Sequence, residues 1–341
     1  MGETGAAAPN PFHNGEQPEE AITDWYLPKS GWMDGFIYPG HIMVRDHPRL
    51  YDMASGLLER CQQQQRFNKG YPDFRLREGH RVYRVHFINN LGGGIYALRR
   101  MPSVIPRLGS IGLPGGIYDV LTHAKLNHGG VVMICGETGQ GKSTTCASMI
   151  QERMMLHNTF TLTIEDPVEA PLEGAHGGGH CLQTEVVGGN FPEAMKGAMR
   201  SYPVVPGSML YIGEIRDRET AAEALRIATN GHLVLTTIHA NGVIQSLQRL
   251  MGMAEESMGR KDAQEVLAST LRLVMHQVLE VVPARAGQPL TRRLKVEFLM
   301  SGKSDSSVAG TVRDGKLVSL VNEIDIQRQV LKMKGIGALF S

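Results

Sequence analysis

From about residue 117 onward the chain repeats one alternation, a short apolar run followed by a longer stretch whose apolar residues recur every three or four positions. The runs at 131–135, 159–164, 209–213 and 233–238 predict strands, and the periodic stretches near 142–155, 192–200, 217–229 and 242–252 predict helices. Strand and helix in alternation imply an α/β fold with a mainly parallel sheet covered on both faces, where ligands gather at the carboxyl ends of the strands. Before this region the pattern is different. Phe36–Val44 and Arg81–Ile88 read as strands, Arg49–Arg66 as a helix, and Leu91-Gly-Gly-Gly94 as a hairpin turn into Ile95–Arg99. Pro102, Pro106 and Pro114, with Gly109, Gly112, Gly115 and Gly116, mark a break that runs into a short helix near Ile117–Leu126. Residues 1–20 hold almost no apolar side chains and are expected to be disordered. The expected division is a tail over 1–20, a small α+β domain over 21–104, a linker over 105–116 and an α/β domain over 117–341.

Composition narrows the function classes. The 341 residues are enough for two domains, and 42% hydrophobic residues fill ordinary cores. A formal net charge of +1 argues against bulk attraction to nucleic acid or to an anionic membrane. Cys61, Cys135, Cys146 and Cys181 form no C-x-x-C pair, so reduced thiols and a cytoplasmic location are the expectation. No apolar run approaches the roughly 18 residues of a membrane span, so any membrane role must come through partners.

The chemistry centres on residues 131–145. The apolar run Val131–Cys135 leads straight into Gly136-Glu137-Thr138-Gly139-Gln140-Gly141-Lys142-Ser143-Thr144, which contains the phosphate-binding pattern G-x-x-x-x-G-K-[ST]. Glycines let backbone N–H groups turn toward one anion, and the helix opening at Lys142 adds its own unpaired N–H groups. Lys142 then reaches the β- and γ-phosphates of a nucleotide, and Ser143 offers a hydroxyl to magnesium. The second strand ends in Glu165, Asp166 and Glu169, three carboxylates in five residues, with Pro167 stopping the strand. Glu214 follows the third strand, where a carboxylate suits the polarisation of attacking water. His232 and His239 stand at either end of the fourth strand. Arg81, Arg84, Arg99 and Arg100 cluster in the hairpin of the first domain. Any one of them is most simply a solvated strand residue, but some could reach a phosphate. His176-Gly-Gly-Gly-His180-Cys181 offers three zinc-ligand types, but a plain glycine-rich loop is the simpler reading.

GETGQGKSTT, TIEDPVE, GEIRDRETAAEAL and NGHLVLTTIHANG occur in this order over residues 136–242. With them the chain resembles the secretion ATPases of type II and type IV systems over about residues 80–300. It is nearest to the pilus-retraction (PilT-like) and Dot/Icm-type (DotB-like) branch. The resemblance implies a RecA-like P-loop core behind a PAS-like amino-terminal domain, with ATP and Mg2+ as cofactors and hydrolysis to ADP and phosphate as the reaction. It further implies a homohexameric ring at the inner membrane, with platform proteins of a pilus, conjugation or secretion machine as partners and no sequence-specific nucleic acid. Residue by residue, Gly136 to Ser143 is the Walker A motif, with Thr144 beside it. Glu165, Asp166 and Glu169 belong to the Asp box, Glu214 is the Walker B glutamate, and His232 and His239 belong to the His box. Lys142, Glu214, Glu165, His239, Arg84 and Arg99 are then the catalytic candidates. The loop residues and His232 are the nucleotide contacts, and Ser143, Glu165 and Asp166 the magnesium ligands. Three departures stand out. Ser208 occupies a position that is often acidic, the stretch Arg200–Gly213 is lengthened by a loop at Pro203, Pro206 and Gly207, and the first domain lacks the aspartate-histidine signature of retraction ATPases. A RecA-like DNA-acting ATPase is the first rival, but 6% aromatic residues and near-neutral charge supply no evident stacking groove. The second, a nucleotide-binding scaffold without turnover, is opposed by the presence of Lys142, Ser143 and Glu214 together.

Overall fold

A computed structural model describes residues 22–38, 41–186, 190–202, 208–282, 291–302 and 306–340; the expected tail at 1–20 and the loop at Pro203, Pro206 and Gly207 lie outside these residues. The chain divides into two compact units, Met1–Ser103 and Val104–Ser341.

The first unit contains β1 (Asp24–Pro28), β2 (Phe36–Tyr38), β3 (Ile42–Met43), α1 (Tyr51–Phe67), β4 (Asp73–Glu78), β5 (Arg81–Ile88) and β6 (Ile95–Arg100). The strands form one antiparallel sheet in the order β3-β2-β1-β6-β5-β4. Strand side chains alternate between faces. Trp25, Leu27, Tyr83, Val85 and Leu98 therefore share one face, and they join Leu57, Leu58 and Cys61 of α1 in a single core. The other face carries Arg75, Arg84, Arg99 and Asp24 in register across four strands. The strand expected over Phe36–Val44 is two short ones, because Pro39-Gly40 interrupts the run and His41 adopts a φ of 52°.

The second unit contains α2 (Ile117–Thr122), β7 (Gly130–Cys135), α3 (Lys142–His157), β8 (Phe160–Glu165), β9 (Gly174–His176), β10 (Gly179–Glu185), α4 (Phe191–Arg200), β11 (Met209–Ile212), α5 (Arg218–Thr229), β12 (Leu233–Ile238), α6 (Val243–Met258), α7 (Arg260–Thr270), β13 (Leu271–Val282), β14 (Thr291–Met300), α8 (Ser307–Arg313) and α9 (Val321–Lys334). Its sheet runs β14-β13-β7-β12-β11-β8-β10-β9. The six inner strands are parallel, with one antiparallel strand at each edge. Helices cover both faces, so β7, β11 and β12 are buried along their whole length and read as unbroken apolar runs. Val131, Met133 and Cys135 enter the core on one side of the sheet, and Val132 and Ile134 the core on the other.

The stretch His176–Cys181 is not a plain loop. It forms the hairpin β9–β10, with Gly177 at φ 61° in the turn. A side chain at Gly179 would meet the Thr159 carbonyl at 2.6 Å, so that glycine is needed for close packing rather than for looseness. A fully buried arginine ties the nucleotide-loop helix to the segment before it. Arg153 of α3 donates to the carbonyls of Leu121 (2.9 Å) and His123 (3.2 Å) and to the side-chain oxygen of Asn127. Burial brings its pKa down to about 10, so the group stays charged at neutral pH.

All four thiols are buried and free, and burial pushes Cys61 and Cys135 up to about 12 and raises Cys146 and Cys181 as well. A thiolate-directed reagent should therefore leave the native protein unlabelled at pH 8 and label all four cysteines in denaturant. Stoichiometric labelling of a folded sample would contradict this packing.

Candidate functional site

The side chains of interest collect where the parallel strands end. β7 stops at Cys135, and Gly136–Gly141 loop over to the first turn of α3. Gly139 and Gly141 sit at φ 78° and 79°, left-handed conformations that suit glycine and turn the loop back on itself. Lys142 begins α3, and only 7% of it is exposed. Its Nζ donates to the carbonyls of Gly136 (2.9 Å) and Glu137 (2.8 Å) and stands 3.4 Å from His239 Nδ1. Burial pulls the Lys142 pKa below its ordinary value, and the Glu214 carboxylate pushes it back up.

His239 follows β12, which lies beside β7, and Glu214 follows β11, which lies beside β12. His239 Nε2 lies 3.3 Å from Glu214 Oε1, so a proton on Nε2 leaves Nδ1 free to accept from Lys142. The other Glu214 oxygen accepts from Arg216 Nε at 2.7 Å. The three adjacent strand ends therefore present a continuous line, Lys142–His239–Glu214–Arg216. Asp217, next in sequence, belongs to the scaffold: its Oδ1 caps α5 by accepting from Thr220 N at 2.8 Å, a contact worth about 1 kcal/mol. A cavity of about 470 Å³ opens beside the loop, lined by Glu137, Thr138, His239, Asn241 and Arg249. Arg249 Nη1 donates to the His239 carbonyl at 3.1 Å.

The other expected residues are placed differently. Glu165 is only 3% exposed, and both its oxygens are engaged: Oε1 accepts from Thr163 Oγ1 (2.6 Å) and Gln183 Nε2 (3.0 Å), and Oε2 from Glu169 N (3.4 Å). Burial raises its pKa, offset by these donors. The Glu165 carboxylate is thus held in place by its own neighbours at the end of β8. Asp166 is half-buried on the following turn, and Ser143 is half-buried in the first turn of α3. Among the described residues no three His, Cys, Asp or Glu side chains converge as a metal site.

His232 stands apart from this line. It lies at the amino end of β12, roughly 20 Å along the strand from His239. There its Nδ1 meets Ser208 Oγ at 3.2 Å, its ring packs edge-on against Tyr202, and burial lowers its pKa. Period-2 geometry does not bring the two ends of one strand together. In the β9–β10 hairpin, His176 donates from Nε2 to the Leu172 carbonyl (2.9 Å) and accepts from Gln151 (3.3 Å), while Cys181 points into the core. Arg84 and Arg99 belong to the first unit, where they are cross-strand neighbours. Arg84 is exposed, whereas Arg99 donates from Nε to Asp24 Oδ1 at 2.7 Å, which raises its pKa. Arg216 and Arg249 were missed as site residues. Arg216 stands inside GEIRDRET but carries no chemistry legible apart from its neighbour, and Arg249 looks like any exposed helix arginine until α6 is placed.

An α/β fold with a phosphate loop, a buried lysine and a carboxylate–histidine pair at adjacent strand ends defines a nucleoside-triphosphate hydrolase. A model of the type II/IV secretion system protein family matches residues 84–323. The chain is 30% identical over 294 residues to the uncharacterized protein YggR of Escherichia coli K12, covering 84% of this chain and 82% of that one. It superposes on the pilus retraction motor PilT with bound ADP with a TM-score of 0.72 at 27% identity, covering 91% of this chain and 88% of that one. The ATPase DotB of Legionella pneumophila gives a TM-score of 0.64 at 26% identity, covering 93% and 85%. The chain spans between 21% and 60% of the length of the type IV pilus ATPases that it matches in sequence. It belongs to the type II/IV secretion system protein family, as an ATPase of its PilT-like branch.

Replacing Glu214 with glutamine keeps its size and one acceptor oxygen, turns the other oxygen into an NH2 donor and removes the charge that polarises water. kcat should fall by about 10² to 10⁴ while the Kd for ADP stays within about threefold. An equal loss of ADP affinity would instead make Glu214 a binding residue.

Proposed function

We propose that this chain is a motor ATPase with a RecA-like core and a PAS-like amino-terminal domain. On this reading it acts as a homohexameric ring on the cytoplasmic side of the inner membrane, working with platform proteins of a pilus, conjugation or secretion machine. The observation that carries the reading is the Lys142–His239–Glu214 line at three adjacent strand ends. Lys142 and the loop N–H groups hold the β- and γ-phosphates, which compensate the ammonium better than two carbonyls do. Glu214 accepts the proton of the attacking water, and His239 orients the carboxylate. Magnesium, when bound beside the phosphates, would neutralise charge that builds up during transfer; Ser143, Asp166 and Glu165 are the residues proposed to hold it. Arg84 and Arg99, side by side on one sheet face, are the pair proposed to sense the γ-phosphate, with the 105–116 linker as hinge.

Lys142→Ala deletes the charge facing the phosphates, so ATP binding and steady-state phosphate release should disappear together. Phosphate release at the parent rate would remove the whole reading.

The arginine pair has its own test. An arginine against a transferring phosphoryl group is worth ~10³ to 10⁵ in rate, whereas an exposed ion pair contributes about 0–1 kcal/mol to stability. Arg84→Ala and Arg99→Ala, in folded protein of unchanged assembly state, should each lower kcat at least about tenfold and leave ADP affinity largely intact. Parent rates in both variants would return these residues to the solvated surface.

A further inference from the structure

β13 runs alongside β7 in parallel register as far as His276 opposite Cys135, and then continues past the point where β7 has ended. Beyond that point the edge of β13 has no strand to pair with, and the phosphate loop lies against it instead. A side chain at Gly136 would strike the Gln277 carbonyl at 2.6 Å, and one at Gly141 would meet Leu279 Cδ1 at 3.1 Å, so loop and strand are in close contact. Two hydrogen bonds join them. Gln277 Nε2 donates to the Gln140 carbonyl at 2.7 Å, and the backbone N–H of Leu279 donates to Gln140 Oε1 at 2.6 Å. Gln140 thus occupies, with its side chain, the place that a neighbouring strand would have taken.

Gln277 is only 1% exposed, and its Oε1 is buried without a hydrogen-bond partner. Burying an acceptor with no donor costs stability, so an apolar side chain of the same length would suit the core better. Its donor has a single recipient, the phosphate loop. Lys142 holds the start of the loop through the Gly136 and Glu137 carbonyls, but at its tip Gly139 has nothing within 4 Å of the place where a side chain would be, and left-handed glycines lose more freedom on ordering than any other residue.

We propose that Gln277 is a positioning residue for nucleotide binding. With the Leu279 amide it clamps Gln140 and holds the phosphate loop in its anion-binding shape before the nucleotide arrives, so that binding does not have to order the glycines. The proposal rests on the nucleotide-site reading given above. Because ADP uses the same loop as ATP, the clamp acts on affinity for both nucleotides and not on the chemical step.

Gln277→Met keeps the length and removes both the donor and the unpaired acceptor, and Gln277→Leu removes the same two groups with a shorter side chain. Each variant should raise the Kd for ADP and the KM for ATP by about tenfold while kcat at saturation stays within about threefold. The thermal midpoint of nucleotide-free Gln277→Met should equal or exceed that of the parent, because the orphan acceptor is gone. Parent ADP affinity in both variants overturns the clamp, as does a loss confined to kcat. A parent protein that neither binds ADP nor releases phosphate would instead defeat the reading of the site itself.

Discussion

An ammonium group moved out of water must be compensated where it lands, and most of the second unit is arranged around that requirement at Lys142. Two loop carbonyls, a histidine nitrogen and, one residue further off, a carboxylate surround it. Carbonyl dipoles satisfy hydrogen bonds but do not neutralise charge, so the site stays electropositive at the place a phosphate would occupy. Glu214 limits how far the lysine pKa falls, and thus how readily the cation would be lost before an anion arrives.

Parallel topology explains why these groups meet. Each comes from the carboxyl end of a different strand, and β7, β12, β11 and β8 are consecutive neighbours in the sheet. Residues 136, 165, 214 and 239 are far apart in sequence, yet the fold sets them along one edge. The same rule separates His232 from His239, which are close in sequence and lie at opposite edges.

Much of this was legible in the residues. Continuous apolar runs at 131–135, 209–213 and 233–238 can be read as parallel strands because burial on both faces erases alternation, and the glycine spacing around Lys142 demands a tight anion loop. β1 escaped because it is only five residues long and ends in Pro28, and β4 because Phe74 and Leu76 are its only apolar residues. β9–β10 escaped because Gly177, Gly178 and Gly179 resemble a flexible connection, whereas one makes a turn and another allows close packing. Gln277 could not be found from sequence at all, since a glutamine in a strand carries no signal until its neighbour across the sheet is known. Arg153 was equally hidden, because an arginine in a helix is ordinarily solvated.

That buried arginine determines where the second unit can bend. Its guanidinium is fastened to Leu121, His123 and Asn127 on one side and belongs to α3 on the other. The helix that carries Lys142 and Ser143 at its start is therefore riveted, three turns on, to the segment through which the chain enters the unit. Any tilt of that helix is passed as a mechanical load to Ile117–His128 as one stiff piece, and the compliant part of the lever has to lie before Ile117.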